Sequence, residues 1–267
     1  MEDQAEMSFW DHLEELRWTL FRSLVALAVF AGGIFGCMRG EGGLFDRVVL
    51  APTRGDFFTY RVFCKVGNYF GVSSDFCDGS FRVDIFNIRM ASQFFTHMTT
   101  SLWMALLLTF PYLMYEMWRF IRPALYRHEE RNIRLVFLLG TLMFFAGCAV
   151  GYFTVFPLTL RFLASYRISP TIVEQVSLES YMDNFLLLIF IMGLIFEMPL
   201  LSWLLSRLGL LHRDFFHRYR RHAVVALLIA AALITPSGDP FTLTLVFIPL
   251  YLLYEISAFF TLPQKTP

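Results

Sequence analysis

The sequence predicts an all-α integral membrane protein with six transmembrane helices. Hydrophobic residues make up 57% of the 267-residue chain and charged residues only 16%, against about 25% charged residues in a typical soluble domain. The apolar residues gather in long runs of the length that a bilayer core requires. The charged residues concentrate between those runs. These properties exclude a soluble globular domain.

Six apolar runs define a single membrane domain over residues 1–267. The predicted spans are 18–38, 97–118, 135–156, 182–205, 223–234 and 241–260. Pro111 lies inside the second span and is expected to kink it. The last two helices are expected to be short, and the fifth run covers only ~18 Å of a hydrocarbon core about 30 Å thick. The amino terminus is acidic and lacks the basic start of a signal peptide, so we expect the first span to be retained.

The distribution of basic residues predicts the orientation. Six spans place both termini on the same side of the membrane. Most of the 22 lysines and arginines lie in the amino-terminal segment, in two charged loops at 119–134 and 206–222, and in the tail. The positive-inside rule therefore places both termini and these loops in the cytoplasm. The long polar segment 39–96 then lies outside.

Cys64 and Cys77 both fall in this outer segment. We expect them to form a disulfide if the cell envelope oxidises them. Two free cysteines are the alternative.

The charged loop Arg119–Arg134 is the first candidate functional region. It carries five arginines and the adjacent acids Glu129 and Glu130 between two apolar runs. On a helix, Glu130 has arginines three residues before it and four after it, whereas Glu129 has none at these spacings. Glu129 is therefore the acid left to bind a cation, and Leu125 shares its helical face. A solvated loop that only fixes topology is the competing interpretation.

The amino-terminal helix is the second candidate region. Its sequence His12-Leu-Glu-Glu-Leu-Arg17 is amphipathic, which suits either a helix lying at the membrane interface or a docking surface. Asp11 and Glu15 stand four residues apart, and this pair of like charges would be stabilised by a cation.

Glu197 is the third candidate, because it lies well inside the fourth apolar run. Pro199 has no N–H, so the carbonyl of Ile195 loses its helical partner at the same place. An ionisable side chain inside a span is costly and is a functional candidate by default. Pairing with a neighbouring helix for packing is the alternative.

Four stretches stand in order along the chain and together carry a resemblance. They are His12–Arg17, Phe120-Ile-Arg-Pro-Ala-Leu-Tyr-Arg-His-Glu-Glu-Arg131, Phe196-Glu-Met-Pro199, and the run from Thr235-Pro through Asp239 to Glu255. With this order and this number of spans, the chain resembles the TatC family. That family comprises the multi-spanning receptor subunits of the twin-arginine (Sec-independent) protein translocase.

The resemblance implies binding of the twin-arginine signal peptides of folded cargo at the cytoplasmic face. Glu15, Arg17, Leu125 and Glu129 would contribute to that site. It further implies recruitment of single-span subunits of the TatA and TatB type, a homo-oligomer within the complex, and use of the proton-motive force. The location would be the bacterial cytoplasmic (inner) membrane, with no enzymatic activity, no cofactor, no metal and no nucleic acid.

The resemblance also assigns residues outside that site. Glu197 would be the family's intramembrane acid, Thr235 and Asp239 would belong to its outer turn, and Pro52 to its first outer loop. Some positions depart from the pattern. Thr19 stands where the family often has a second basic residue, and Leu243 stands where many members have a glutamine.

A proton-coupled secondary transporter that uses Glu197 is the alternative function. Such transporters usually show internal repeats and broken helices with polar groups near the membrane midplane. Here the polar groups gather at the predicted cytoplasmic face and in turns. An intramembrane hydrolase is a weaker alternative, because the sequence contains no H-E-x-x-H motif.

Overall fold

The structure is a computed structural model that describes residues 9–38, 43–69, 77, 79, 81–121, 133–166, 169, 175–207, 209–235 and 238–261. Its helices are α1 (Phe9–Cys37), α2 (Phe58–Tyr69), α3 (Ser92–Ile121), α4 (Ile133–Val150), α5 (Phe156–Ser165), α6 (Leu178–Phe196), α7 (Met198–Arg207), α8 (Arg213–Ile234) and α9 (Pro240–Phe260). Two short strands, β1 (Ile85–Phe86) and β2 (Val176–Ser177), pair in parallel. The chain divides into two units, one of Met1–Met38 and His97–Thr141 and one of Arg39–Thr96 and Leu142–Pro267.

The prediction of a helical, multi-span membrane protein is confirmed. Four helical stretches are long and apolar enough to cross a bilayer: Leu13–Cys37, Leu138–Ser165, Leu178–Arg207 and Pro240–Phe260. They correspond to the first, third, fourth and sixth predicted spans. The second and fifth predicted spans are helical as well, within α3 and α8. α3 continues through Pro111 without a break.

The third predicted span ends too early. It was expected to stop at Phe156, with Pro157 opening a loop. Instead a π-helical turn, Gly151–Val155, joins α4 to α5, and the helical run continues to Ser165. Pro157 lies in the first turn of α5, where its missing N–H would have no helical partner in any case.

The expectation of two short final helices is wrong. α8 has 22 residues and α9 has 21, so each is ~30 Å long. Only the apolar part of α8, residues 223–234, is short. The helix begins ten residues earlier, at Arg213, because arginine is a good helix former and its charge does not end a helix.

The segment 39–96, which is predicted to lie outside, contains local structure that the sequence did not predict. Phe45–Val49 forms a π-helical turn, Ala51–Thr53 a 3₁₀ turn, and α2 follows. The buried Tyr60 hydroxyl donates to the carbonyls of Pro52 (3.0 Å) and Pro157 (3.1 Å). Burial raises the pKa of Tyr60 well above its ordinary value, so the hydroxyl remains a neutral donor. Pro52 therefore anchors this segment through its backbone.

A disulfide joins Cys64 at α2 to Cys77, with their Cα atoms 4.9 Å apart. Cross-linking a loop of this size contributes about 3 kcal/mol to stability in the chain-entropy model. Cys37 and Cys148 are free thiols.

Glycines allow α4 and α6 to approach each other closely in the second unit. A methyl group at Gly147 would lie 2.5 Å from the carbonyl oxygen of Met192 and 2.8 Å from the side chain of Phe196. A methyl group at Gly193 would lie 2.7 Å from Cys148 Sγ. Helices in membranes associate largely by such close packing, because lipid offers no hydrophobic driving force.

We expect Gly147→Ala to destabilise the protein by about 1–3 kcal/mol, because the new methyl group meets backbone that must move. Gly32→Ala on α1 is the matched control, because nothing lies within 4 Å of a methyl group there. In a helix the control is expected to be neutral or to stabilise by up to about 1 kcal/mol. Thermal unfolding in detergent measures both, and equal melting temperatures would contradict the packing argument.

Candidate functional site

α1 and α3 run antiparallel within the first unit and meet through side chains. At one end the Phe35 ring stacks on His97, with ring centroids 4.0 Å apart. At the other end Arg22 of α1 reaches Glu116 of α3. Residue numbers therefore rise along α1 as they fall along α3. If this register continues for two more turns, we expect Glu15 to lie level with the end of α3, where the charged loop begins.

An ion pair fixes this end of the two helices. Arg22 Nη2 and Nε lie 3.0 and 3.3 Å from Glu116 Oε2, and the Tyr112 hydroxyl donates to Glu116 Oε1 at 2.9 Å. The Glu116 side chain is 3% exposed and that of Arg22 is 33% exposed. We call this cluster the Arg22–Glu116 pair. Sequence reasoning missed Glu116, although it is an acid inside a predicted span and met the criterion that singled out Glu197.

The predicted binding residues on α1 lie on different faces. Glu15 is half-buried and shares a face with the buried Thr19 and with Arg22. Arg17 and the neighbouring Glu14 are exposed. Leu125 and Glu129 lie outside the described residues, so their proximity to Glu15 stays a prediction.

Glu197 lies in the second unit at the junction of α6 and α7. The helix breaks where Pro199 predicts, with Glu197 N–H bonded to the Leu194 carbonyl at 3.1 Å. The residue is 6% exposed, and both carboxylate oxygens are buried without a hydrogen-bond partner among the residues that the structure describes. Burying a polar group without a partner costs free energy, so a further contact for this carboxyl is expected and stays a prediction.

The two other acids in predicted spans that are not exposed each face an arginine. Glu116 is paired with Arg22, and Glu255 of α9 lies 2.7 Å from Arg220 Nη2 of α8. Arg220 also donates to the Tyr251 hydroxyl at 3.0 Å. Glu116 and Glu255 each lie beside an arginine, whereas the Glu197 carboxylate has no hydrogen-bond partner among the described residues.

Thr235 and Asp239 hold the turn between α8 and α9. Asp239 is the N-cap of α9, and its Oδ1 accepts the Thr242 N–H at 2.8 Å. The Thr235 hydroxyl donates to the Ala231 carbonyl at 3.0 Å. Gly238 adopts a φ of +58°, which favours glycine. These bonds give the predicted outer-turn residues a structural role, and a contact with a partner stays a prediction.

Comparison with known sequences gives a consistent result. The family model for the Sec-independent protein translocase protein (TatC) matches residues 11–249. A Sec-independent protein translocase protein TatC from Blattabacterium sp. subsp. Periplaneta americana is 34% identical over 258 residues, which cover 96% of each chain. The TatC protein of Deinococcus radiodurans is 31% identical and covers 94% of this chain and 84% of its own.

Solved structures agree. A crystal structure of a twin-arginine translocase receptor, TatC, superposes with a TM-score of 0.68 at 27% identity. The match covers 93% of this chain and 97% of that one. A second crystal structure of the receptor, in the detergent DDM, gives a TM-score of 0.69. The chain described here therefore belongs to the TatC family of Sec-independent protein translocase subunits.

Proposed function

We propose that this translocase subunit binds the twin-arginine signal peptides of folded cargo at its cytoplasmic face, through Glu15 on α1 and Glu129 in the charged loop. Each arginine presents a planar fork that a carboxylate can bind in two parallel bonds, so two arginines require two separate acids. The observation that supports the proposal is that Glu15 is half-buried and lies on the face of α1 that carries Arg22, whose partner Glu116 is near the end of α3. Leu125 would contact apolar residues beside the motif, and Arg17 would line the same region.

The related crystal structures support this function, because each is described as a twin-arginine translocase receptor. The alternative of a proton-coupled transporter finds no support in the comparisons. Transport of folded cargo would use the proton-motive force.

The proposed topology has six spans, with α3 and α8 completing the four most apolar helical stretches, and both termini in the cytoplasm. The concentration of arginines in 119–134 and in the first half of α8 supports it. A bacterial inner-membrane location, a homo-oligomer and single-span partners of the TatA and TatB type belong to the same proposal. Glu197 is the proposed intramembrane contact for such a partner, because its carboxyl has no hydrogen-bond partner among the described residues.

The test compares two neighbouring acids on α1. We expect Glu15→Gln to weaken binding of a twin-arginine precursor by about 10- to 150-fold, since one charge-assisted interaction is lost. Glu14→Gln is the matched control, because Glu14 is exposed on another face of the same helix. It should change binding by less than about twofold. Precursor binding to membranes that contain equal amounts of each variant measures both, and equal losses would exclude a specific role for Glu15.

A further inference from the structure

We propose that the Arg22–Glu116 pair, with Tyr112, is a positioning device that holds Glu15 in register with the end of α3 and thereby sets the affinity for the twin-arginine ligand. This inference rests on the proposed role of Glu15. It assigns Arg22, Tyr112 and Glu116 a role in ligand binding without contact with the ligand.

The geometry of α1 links the pair to Glu15. Glu15 and Arg22 are seven residues apart, so they lie on one face of the helix and are separated by about 10 Å along its axis. Thr19 stands between them on this face, and it is 8% exposed. Trp18 and Phe21 point elsewhere and are 52% and 57% exposed. Any rotation of α1 that moved Arg22 away from Glu116 would therefore move Glu15 as well.

Away from the Phe35–His97 stack at its other end, α1 is packed loosely within the part of the chain that the structure describes. Only 6% of its most apolar window is buried within the chain. Apolar packing of a helix in lipid also gives weak orientation, because lipid tails are as apolar as the side chains. A directional ion pair supplies the orientation that apolar contact does not. The Arg22 Nη2 group also lies 3.4 Å from the Thr19 hydroxyl, which fixes the guanidinium against its own helix.

The surroundings of Glu116 argue against a direct role in ligand binding. Its Oε2 is occupied by Arg22, its Oε1 accepts from Tyr112, and its side chain is 3% exposed. A ligand arginine would have to displace Arg22 from the buried Glu116 carboxylate and leave that cation without its partner. The two models predict opposite results when Arg22 is removed. Positioning predicts weaker binding, whereas displacement predicts tighter binding because Glu116 becomes available.

A double-mutant cycle between Arg22 and Glu15 tests the proposal in membranes containing the full-length protein. The probe is a labelled twin-arginine signal peptide, and the variants are Arg22→Gln, Glu15→Gln and the two combined. We expect Arg22→Gln to weaken binding by about 5- to 50-fold. In that background Glu15→Gln should add less than about threefold, because Glu15 is already out of position. General destabilisation would instead make the two losses multiply.

A variant with the two charges exchanged shows whether the single variants lose binding through misfolding or through loss of the ion pair. Arg22→Glu combined with Glu116→Arg restores an ion pair across the same helices. We expect it to recover binding to within about fivefold of the unmodified protein, whereas each single change loses more. Spin labels at Leu13 and Arg119, both exposed, add a readout that needs no ligand. Their distance distribution should broaden in Arg22→Gln, with Cys37 and Cys148 replaced beforehand.

The outcomes separate this inference from the proposed function. Normal binding by Glu15→Gln would overturn the proposed function itself. If Glu15→Gln weakens binding, the positioning inference is overturned by unchanged or tighter binding in Arg22→Gln. Fully multiplicative losses or an unchanged distance distribution would overturn it too.

Discussion

Glu197→Ala is expected to reduce export of a twin-arginine precursor by at least about tenfold while leaving the protein in the membrane. A charge-assisted hydrogen bond contributes about 1.5–3 kcal/mol, so its loss at a partner contact corresponds to about 10- to 150-fold. Binding of the signal peptide should stay within about twofold of the unmodified protein, because the proposed binding acids lie elsewhere. Import of precursor into inverted membrane vesicles measures export, and crosslinking of precursor measures binding.

The structure explains why stability should survive this change. No hydrogen bond to either Glu197 oxygen is broken among the described residues, because none is made there. Removing an unpaired buried carboxyl also removes its desolvation cost. Loss of export therefore cannot be attributed to loss of fold, provided that the protein level is unchanged.

Asp183→Asn is the control for Glu197→Ala. Asp183 lies on α6, the helix that ends just before Glu197, but it is exposed, so its replacement should leave export unchanged. Glu197→Gln separates charge from hydrogen bonding, because the amide keeps the shape and can still bond to a partner. Normal export by Glu197→Ala at normal protein level would reduce Glu197 to a packing residue.

The sequence predicted correctly those features of the fold that depend on residues close together in the chain. The sixth apolar run, 241–260, agrees with α9 at Pro240–Phe260 to within one residue. The start of α9 is well defined because Asp239 caps the helix and Pro240 occupies its first turn. Both residue types favour these positions irrespective of tertiary structure. Pro199 similarly predicted the break at Glu197. Each of these features depends on residues within one helical turn.

Features that depend on distant residues could not be predicted. Arg22 and Glu116 are 94 residues apart in the chain, so their pairing follows from the register of α1 against α3. Arg161 is another example. It follows the predicted third span, 135–156, in the sequence, and it is buried, with its guanidinium 5.0 Å from the Tyr60 ring and 4.6 Å from the Phe81 ring. Such cation–π contacts stabilise a buried cation, and they require a known tertiary structure to find.

Predicted helix boundaries were wrong where the extent of an apolar run was taken as the extent of the helix. The polar start of α8 is helical because backbone hydrogen bonds do not depend on the polarity of side chains. The charged loop that contains Leu125 and Glu129 is a different case. Residues 122–132 of this loop lie outside the described residues, so the helical-face argument that chose Glu129 over Glu130 rests on sequence alone.

Glu129→Gln is therefore expected to weaken binding of a twin-arginine precursor by about 10- to 150-fold, whereas Glu130→Gln should change it by less than about threefold. The two acids are adjacent and differ in their neighbours. On a helix, Arg127 and Arg134 flank Glu130 at spacings of three and four residues, so its charge is already neutralised. Glu129 has no cation at these spacings and is available to an arginine of the ligand. Precursor binding to membranes with matched protein levels gives the comparison.

The ligand provides an independent check of the same chemistry. Replacing one arginine of the signal peptide by lysine keeps the charge but removes the planar fork, so binding to the unmodified protein should weaken. The same replacement should matter less in Glu129→Gln if that arginine binds Glu129, because the bidentate contact is already lost. A larger loss in Glu130→Gln than in Glu129→Gln would show that the helical-face argument selects the wrong acid. Equal losses would show that the charged loop attracts the peptide through its overall charge, with neither carboxylate forming a specific contact.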